Sequence, residues 1–261
     1  MLLFGAPTWL LALLLVVAMV GAAMVGLAIG TRLRDSQDEV RESFGVLQAA
    51  LIAFVGLILA FGLSLAVGRY ESRRQAVVVE ANAIGTTYLR AQTLDEPIRR
   101  QSLALLVDYT DAELRLSLVR PGSKAAAAAI AEASALQRPL WRLAAQAVRE
   151  QPTATAPRLY EETLNDMFDA QTVRVTGLAN RVPSEVLLVE IIGAAIALAL
   201  LGLHVGVLGR GIVPLLLAAI MVSLLLFTIV DLDRPTRGFI EIPDTALVSL
   251  RVSMNLPPAA P

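Results

Sequence analysis

Long uninterrupted apolar stretches alternate with polar segments along this chain of 261 residues. A bilayer core of about 30 Å needs roughly 20 apolar residues in a helix that rises about 1.5 Å per residue. Four stretches meet that length, at residues 8–30, 46–68, 186–208 and 212–230. The pattern therefore predicts four transmembrane helices. The short link Gly209-Arg210-Gly211 predicts that the last two spans form an antiparallel hairpin.

The segment between the second and third spans has a helical pattern throughout. Apolar residues recur at three-, four- and seven-residue steps after the second span, which predicts that its helix continues to about residue 93: Tyr70, Val77, Ala81, Ile84 and Tyr88. Asp95 is predicted to cap a further helix that ends near residue 118. A third helix starts after Ser123 and is expected to bend or stop near Pro139, and a last one covers about 157–180.

These elements predict an all-α membrane protein in which a helical cytosolic domain is inserted between transmembrane helices 2 and 3. The predicted divisions are 1–68 for the first two spans, 69–183 for the helical domain, 184–232 for the hairpin and 233–261 for a C-terminal tail. No strand pattern is found.

Composition agrees with a membrane protein and excludes several other classes. The chain is 56% hydrophobic and 17% charged, and its net charge of −1 gives no basic surface for nucleic acid. Without cysteine, and with one histidine, the sequence predicts neither a metal site nor a cofactor. Asp231, Asp233 and Ser184 lack the spacing of a nucleophile and its base, so we predict no enzymatic activity.

Small residues recur every three or four positions in three of the spans. Such stripes allow close approach of helix backbones in lipid, where hydrophobic association is absent. The stripes are Ala18, Ala22, Gly26 and Gly30 in the first span, Gly56, Ala60, Ser64 and Gly68 in the second, and Ala195, Ala199, Gly202 and Gly206 in the third. They predict helix packing, either inside one chain or between subunits.

Charged residues cluster where the spans end. The hairpin brings the end of the fourth span beside the start of the third, which predicts an ionic collar of Arg69, Glu185, Glu190, Asp231, Asp233 and Arg234. A carboxylate at a helix C-terminus opposes the helix dipole, so Asp231 is expected to pair with Arg234. The collar is either structural or a pore vestibule or effector site. Glu190 and His204 either reach the membrane interface or line a polar path.

Two further sets of residues are candidates for function. Phe54, Ile58, Phe61 and Leu65 share one face of the second span, which is either an apolar pore constriction or ordinary core packing. Beyond that span, Glu80 lies beside an apolar stripe and needs a donor, which predicts a cytosolic brace of Arg73, Arg74, Glu80 and Asn82, with Arg99 or Arg174 as alternative partners.

Three stretches together resemble a known family. They are "FVGLILAFGLSLAVGRYESRRQAVVVEANAIGTTYLRAQTL" at 54–94, "LLVDYTDAELRL" at 105–116 and "DLDRPTRGFIEI" at 231–242. The chain resembles the bacterial bestrophin-like membrane proteins, in which a transmembrane helix continues into "EANAIG..YLR" and the last span ends in "D.DRP..G". The resemblance implies a distant likeness to bestrophins, which are oligomeric anion channels, although no acidic calcium clasp is evident.

Two functions follow as hypotheses. The first is a homo-oligomeric ion channel or pore-like protein, with the lipid bilayer, further copies of the chain and small inorganic ions as its partners. The alternative is a non-conducting membrane scaffold or sensor whose helical domain binds partners.

Arginines near the span ends predict the orientation in the inner (plasma) membrane. Seven lie on one side, at Arg69, Arg73, Arg74, Arg174, Arg181, Arg234 and Arg237, against four on the other, at Arg32, Arg34, Arg41 and Arg210. By the positive-inside rule both termini and the 69–183 domain are cytoplasmic. A cysteine introduced by Ser123→Cys should therefore resist a membrane-impermeant thiol reagent in intact cells and react after permeabilisation. Reaction in intact cells would show the opposite orientation.

Overall fold

The computed structural model describes residues 7–33, 40–209, 211–234, 236 and 238–255. These residues form helices and connecting loops, and no strand occurs among them. The helices are α1 (Thr8–Arg32), α2 (Val40–Ala91), α3 (Ile98–Leu118), α4 (Lys124–Glu150), α5 (Thr155–Ala179), α6 (Ser184–Leu208), α7 (Val213–Leu232) and α8 (Thr245–Ser253). Apolar stretches long enough to cross a membrane lie in α1, α2, α6 and α7. The four predicted spans are thus all helical.

The chain forms two compact units. The membrane unit comprises Met1–Arg69 and Arg181–Ile240, and the second unit comprises Tyr70–Asn180 and Glu241–Pro261. Helix α2 contributes its first part to the membrane unit and its last part to the second unit. As predicted, the helix of the second span continues without interruption to Ala91.

Helices α1 and α6 run parallel in the membrane unit and approach at backbone distance. A Cβ added at Gly26 would lie 1.8 Å from the carbonyl oxygen of Ala199, and one at Gly202 would lie 2.1 Å from that of Ala23. Only glycine fits at such a seam, because any side chain would overlap the opposing carbonyl. The small residues predicted to pack in the first and third spans therefore contact each other inside one chain.

The remaining helices of the membrane unit run antiparallel to this pair. Val55 of α2 lies against Gly193 of α6, and Gly45 lies near His204, so residue numbers fall along α6 as they rise along α2. Helix α6 ends at Leu208, and the following residue, Gly209, has a φ of 66°, in the left-handed region that glycine adopts without strain. Arg210 of the predicted hairpin turn lies outside the described residues.

The second unit is built around an apolar core. Val77, Ala81 and Ile84 of α2 are buried there, as the sequence pattern predicts. They pack with buried residues of the other helices, among them Leu106, Tyr109, Leu140, Tyr160, Leu164 and Met167. Helix α8, which lies in the predicted C-terminal tail, also contributes to this core, since its Leu247 is fully buried there.

Two details of the helix ends differ from the sequence expectation. Of the two outcomes predicted at Pro139, a bend or a stop, the stop does not occur, because α4 continues to Glu150. The buried Leu140 and Ala144 that follow Pro139 anchor this part of α4 in the core, which compensates for the hydrogen bond that proline removes. Asp95 is not a side-chain cap, since α3 begins at Ile98 and the carboxylate of Asp95 instead accepts a hydrogen bond from Gln151.

The seam between α1 and α6 yields a stability prediction. Gly26→Ala should lower the thermal midpoint by an amount equivalent to roughly 1–3 kcal/mol, because overpacking forces the backbones apart. Gly21→Ala on the same helix is the control, since a Cβ there meets no atom within 4 Å. Thermal unfolding of the purified protein in detergent measures both. Equal midpoints for the two variants would show that the seam is looser than the structure indicates.

Candidate functional site

The predicted collar residues connect the ends of all four spans. The carboxylate of Asp233, after α7, accepts a hydrogen bond from the backbone N–H of Val182, before α6, at 3.1 Å. Arg69, where the second span ends, donates to the carbonyl of Arg181 at 2.8 Å. The guanidinium of Arg234 lies 3.4 Å from the hydroxyl of Thr8 at the start of α1. Asp233 and Arg234 are both buried. The polar residues at this end of the unit therefore connect helix termini that lipid could not satisfy.

Asp231 has a different partner from the predicted one. Its carboxylate accepts hydrogen bonds from the backbone N–H groups of Phe239, at 2.9 and 3.1 Å, and Ile240, at 3.0 Å. Among the described residues these amides, rather than the side chain of Arg234, satisfy Asp231. A Cβ at Gly238 would lie 2.7 Å from the same carboxylate. This contact explains why the "D.DRP..G" pattern ends in glycine.

The two glutamates predicted for the collar lie apart from it. Glu185 is exposed and accepts a hydrogen bond from the adjacent Ser184 hydroxyl at 3.2 Å. Glu190 lies deeper in α6 and is only 1% exposed, wedged against Gly62 of α2. Among the described residues, the structure therefore does not bring these two glutamates into the bonds that join the helix ends, one of which links Val182 and Asp233.

The face of α2 that packs inside the chain is not the face that was predicted. Within the second span its buried positions include Gln48, Val55, Leu59, Gly62 and Ala66. The stripe of Gly56, Ala60, Ser64 and Gly68 is exposed, and a Cβ at either glycine meets no atom within 4 Å. Packing of this stripe inside one chain is thus wrong, which leaves packing between subunits as the open alternative.

The candidate constriction residues are also largely exposed in the single chain. Phe54 is 59% exposed, Phe61 68% and Leu65 39%, while Ile58 is partly buried. Core packing inside one chain therefore does not explain this face. At about 100° per residue, the constriction face lies roughly 100° from the buried face and roughly 110° from the small-residue stripe. Helix α2 thus has three separate faces.

The partner of Glu80 is Arg174, which is one of the two alternatives predicted on neighbouring helices. Arg174 donates from one nitrogen to Glu80 at 2.6 Å and to Glu113 at 2.8 Å, and all three side chains are at most 2% exposed. Its second terminal nitrogen donates to the hydroxyl of Ser117 at 2.6 Å. Gln171 donates to Glu113 at 2.5 Å. We name Glu80, Glu113 and Arg174 the buried triad.

Two carboxyl groups of the buried triad share a single guanidinium. Burial, together with the neighbouring Glu80 charge, raises the pKa of Glu113 to about 8, although Arg174 and Gln171 oppose the shift. Burial also raises the pKa of Glu80, although Arg174 partly offsets that effect. The triad is therefore expected to hold one proton at neutral pH.

The other predicted brace residues have different roles. Arg73 is buried and donates to the carbonyls of Gly177 and Asn180, at 3.1 and 2.5 Å, so it caps the C-terminal end of α5. Arg74 is half exposed and pairs with Glu71, and Asn82 is exposed. These last two are not part of the brace, because they lie on the outer side of α2.

Sequence reasoning missed Glu113, which contributes as much to the triad as Glu80. Its position in the sequence could have indicated burial, since Glu113 lies in the stretch 105–116 between Ala112 and Leu116, which are both buried. No group of three or more His, Cys, Asp or Glu residues that could hold a metal ion occurs within the part of the chain that the structure describes.

The triad predicts unequal costs for removing two arginines. Arg174→Gln should reduce stability by about 3–5 kcal/mol, because it leaves buried carboxyl groups without their cation. Arg115→Gln is the matched control, since Arg115 pairs with Glu132 at 2.6 Å but both side chains are about half exposed. The loss of stability in Arg115→Gln should stay below about 1 kcal/mol. Similar thermal midpoints for both variants would contradict the brace.

The raised pKa of Glu113 predicts a pH dependence of stability. The unfolded chain releases this proton near its ordinary value of 4.5, and the folded chain retains it to about 8. The stabilisation is therefore complete below 4.5 and is lost as pH rises to about 8. The slope is at most about 1.4 kcal/mol per pH unit. The thermal midpoint of wild-type protein should therefore fall relative to that of Glu113→Gln as pH rises from 4.5 to about 8, and a difference independent of pH would refute the assignment.

Comparison with known proteins places the chain in a family. The Bestrophin-like domain matches residues 10–247. A bestrophin homologue from Klebsiella pneumoniae, solved as a single-substitution variant, has a TM-score of 0.66 at 12% identity, with 90% of this chain and 95% of that chain covered. A structure described as a membrane protein has a TM-score of 0.66 at 14% identity, with 95% and 97% covered. No curated protein matches the sequence. This chain belongs to the Bestrophin-like family of membrane proteins.

Proposed function

We propose that this protein is a homo-oligomeric ion channel in which α2 of each subunit lies next to the central axis. The three faces of α2 carry the proposal. A helix in a ring must contact its own subunit, contact a neighbouring subunit and face the lumen, and these are three different directions. Helix α2 has a buried face, an exposed small-residue stripe and an exposed apolar face in that arrangement.

The small-residue stripe is the proposed contact with the neighbouring subunit. Gly56, Ala60, Ser64 and Gly68 would allow another helix to approach closely, as Gly26 and Gly202 do inside the chain. The first and third spans use their small residues within the subunit, whereas the stripe of α2 is exposed in the described chain and a Cβ at Gly56 or Gly68 meets no atom within 4 Å. A second copy of the chain is the occupant that best accounts for this difference.

The exposed apolar face is the proposed constriction. Phe54, Phe61 and Leu65 would face the lumen together with Ile58, forming apolar rings that control conduction by dewetting. The family supports this function, since the solved structures of similar fold include bestrophin homologues. Small inorganic ions are the proposed substrates. We place both termini and the second unit in the cytoplasm, on the arginine distribution.

A non-conducting scaffold or sensor is the second candidate. One feature of the second unit favours it, an open groove of about 710 Å³ lined by Gln137, Arg138, Trp141, Arg142, Asn165 and Phe168. The rings of Trp141 and Phe168 lie 6.4 Å apart between their centroids. Aromatic side chains beside two exposed arginines suit an acidic partner.

Flux through purified protein in liposomes tests the channel. Phe61→Ala should raise the flux of small ions relative to wild type, because it widens the apolar constriction. Met221→Ala is the control, since Met221 is 71% exposed but lies on α7. In parallel, Ala60→Leu should reduce the mass of the detergent-solubilised particle without loss of the subunit's own fold, since Ala60 is exposed in the single chain.

The outcomes separate the two candidates. Flux that depends on Phe61, from a particle larger than one subunit, supports the channel. A monomeric particle, or an assembled particle that conducts no ions under any condition tested, refutes it and favours the scaffold. Equal effects of Phe61→Ala and Met221→Ala would remove α2 from the conduction path.

A further inference from the structure

Glu190 is a carboxyl group buried inside a transmembrane helix without a visible partner. It is 1% exposed, and neither of its carboxylate oxygens accepts a hydrogen bond from any described residue. The other buried acids differ in this respect, since Asp231 and Asp233 accept backbone N–H groups and Glu113 contacts Arg174. Glu190 therefore requires a separate explanation.

The carboxyl group of Glu190 lies directly against Gly62 of α2. A Cβ at Gly62 of α2 would lie 1.7 Å from one carboxylate oxygen, so the carboxyl occupies the position that a side chain at residue 62 would take. Leu187 and Ala194, on neighbouring turns of α6, are buried as well. The absence of a side chain at Gly62 thus makes room for the buried carboxyl group of Glu190.

Among the residues that the structure describes, none forms an ion pair or a hydrogen bond with the Glu190 carboxyl group. On α1 the sequence has no ionisable residue between Thr8 and Ile29, and on α7 none before Asp231. On α2 the nearest is Arg69, seven residues beyond Gly62, whose guanidinium donates to the Arg181 carbonyl. On α6 itself, Glu185 is exposed and His204 lies fourteen residues away.

An ionised carboxylate in this position would be strongly unfavourable, because low-dielectric surroundings penalise an isolated charge. Two ligands could neutralise it, a metal cation or a proton. A metal cation needs several oxygen ligands, and the described residues hold no cluster of acidic or histidine side chains that would supply them. We propose that Glu190 is an intramembrane proton-binding site, in which the carboxyl is held in its neutral form against Gly62.

The site differs from the buried triad in what stabilises its proton. In the triad, Arg174 compensates one carboxylate and the second carboxyl is protonated. At Glu190 no cation compensates, so loss of the proton requires the carboxylate to leave its place at Gly62 or water to enter. Proton binding is therefore coupled to the contact between α6 and α2, whether or not the protein conducts ions.

Infrared spectroscopy measures the protonation directly. A protonated carboxyl shows a C=O stretch separate from carboxylate bands, it shifts in D₂O, and it lies at higher frequency when the carbonyl accepts no hydrogen bond. The difference spectrum between wild-type protein and Glu190→Gln at neutral pH should contain such a high-frequency acid band. Glu185→Gln, which alters an exposed acid one and a half turns away, should remove only carboxylate bands.

Two further variants keep the test decisive. Glu113→Gln removes the other protonated acid, so the high-frequency band should persist in it even if Glu190→Gln does not fold. Gly62→Ala should shift that band, whereas Gly56→Ala, which meets no atom within 4 Å, should not. Carboxylate bands in the Glu190→Gln difference spectrum, or no high-frequency acid band in Glu113→Gln, would overturn the proposal.

Discussion

Close backbone approach between α1 and α6 determines the geometry of the membrane unit. Hydrophobic association is absent between helices in lipid, so the seam at Gly26 and Gly202 provides dispersion contacts over a length that bulky residues would prevent. The ends of these two helices then bind the residues that follow α7. Arg234 donates a hydrogen bond to Thr8 at the start of α1, and Asp233 accepts one from the backbone N–H of Val182 before α6. These hydrogen bonds at the span ends stabilise the unit, and they can form because the seam holds α1 and α6 together.

The two units solve the problem of buried polar groups in different ways. At the span ends of the membrane unit, backbone N–H and carbonyl groups satisfy the charged side chains, as at Asp231 and Arg69. The second unit instead places an ionic network of three side chains in its core. Such networks stabilise a fold weakly compared with apolar packing, but removing one member is costly. The triad thus specifies which faces of α2, α3 and α5 meet, since Glu80, Glu113 and Arg174 come from those three helices.

Sequence pattern was most informative where one physical requirement dominates. Bilayer thickness fixes span length, so the four spans could be predicted, and the apolar stripe around Glu80 showed that this acid needs a donor. Pattern could not identify which of several arginines provides it, because that depends on how distant helices pack. The stripe at Gly56 also shows what residue spacing cannot predict. Spacing identifies a narrow helix face but does not say which surface packs against it. The face of α2 that does pack inside the chain has residues of mixed size, including Gly62.

The proposed proton site and the proposed constriction lie next to each other on α2. Gly62, which receives the Glu190 carboxyl, directly follows Phe61, the most exposed residue of the apolar face. Adjacent helix positions differ by about 100°, so the two side chains point in different directions but move as one body when the helix rotates or shifts. An ionised and hydrated carboxylate needs more room than a neutral one, and on the α2 side that room is available only if the helix moves away from α6. A displacement of Gly62 would also displace Phe61, so the two proposals together imply that proton binding at Glu190 and the position of the apolar face are linked through a single turn of α2.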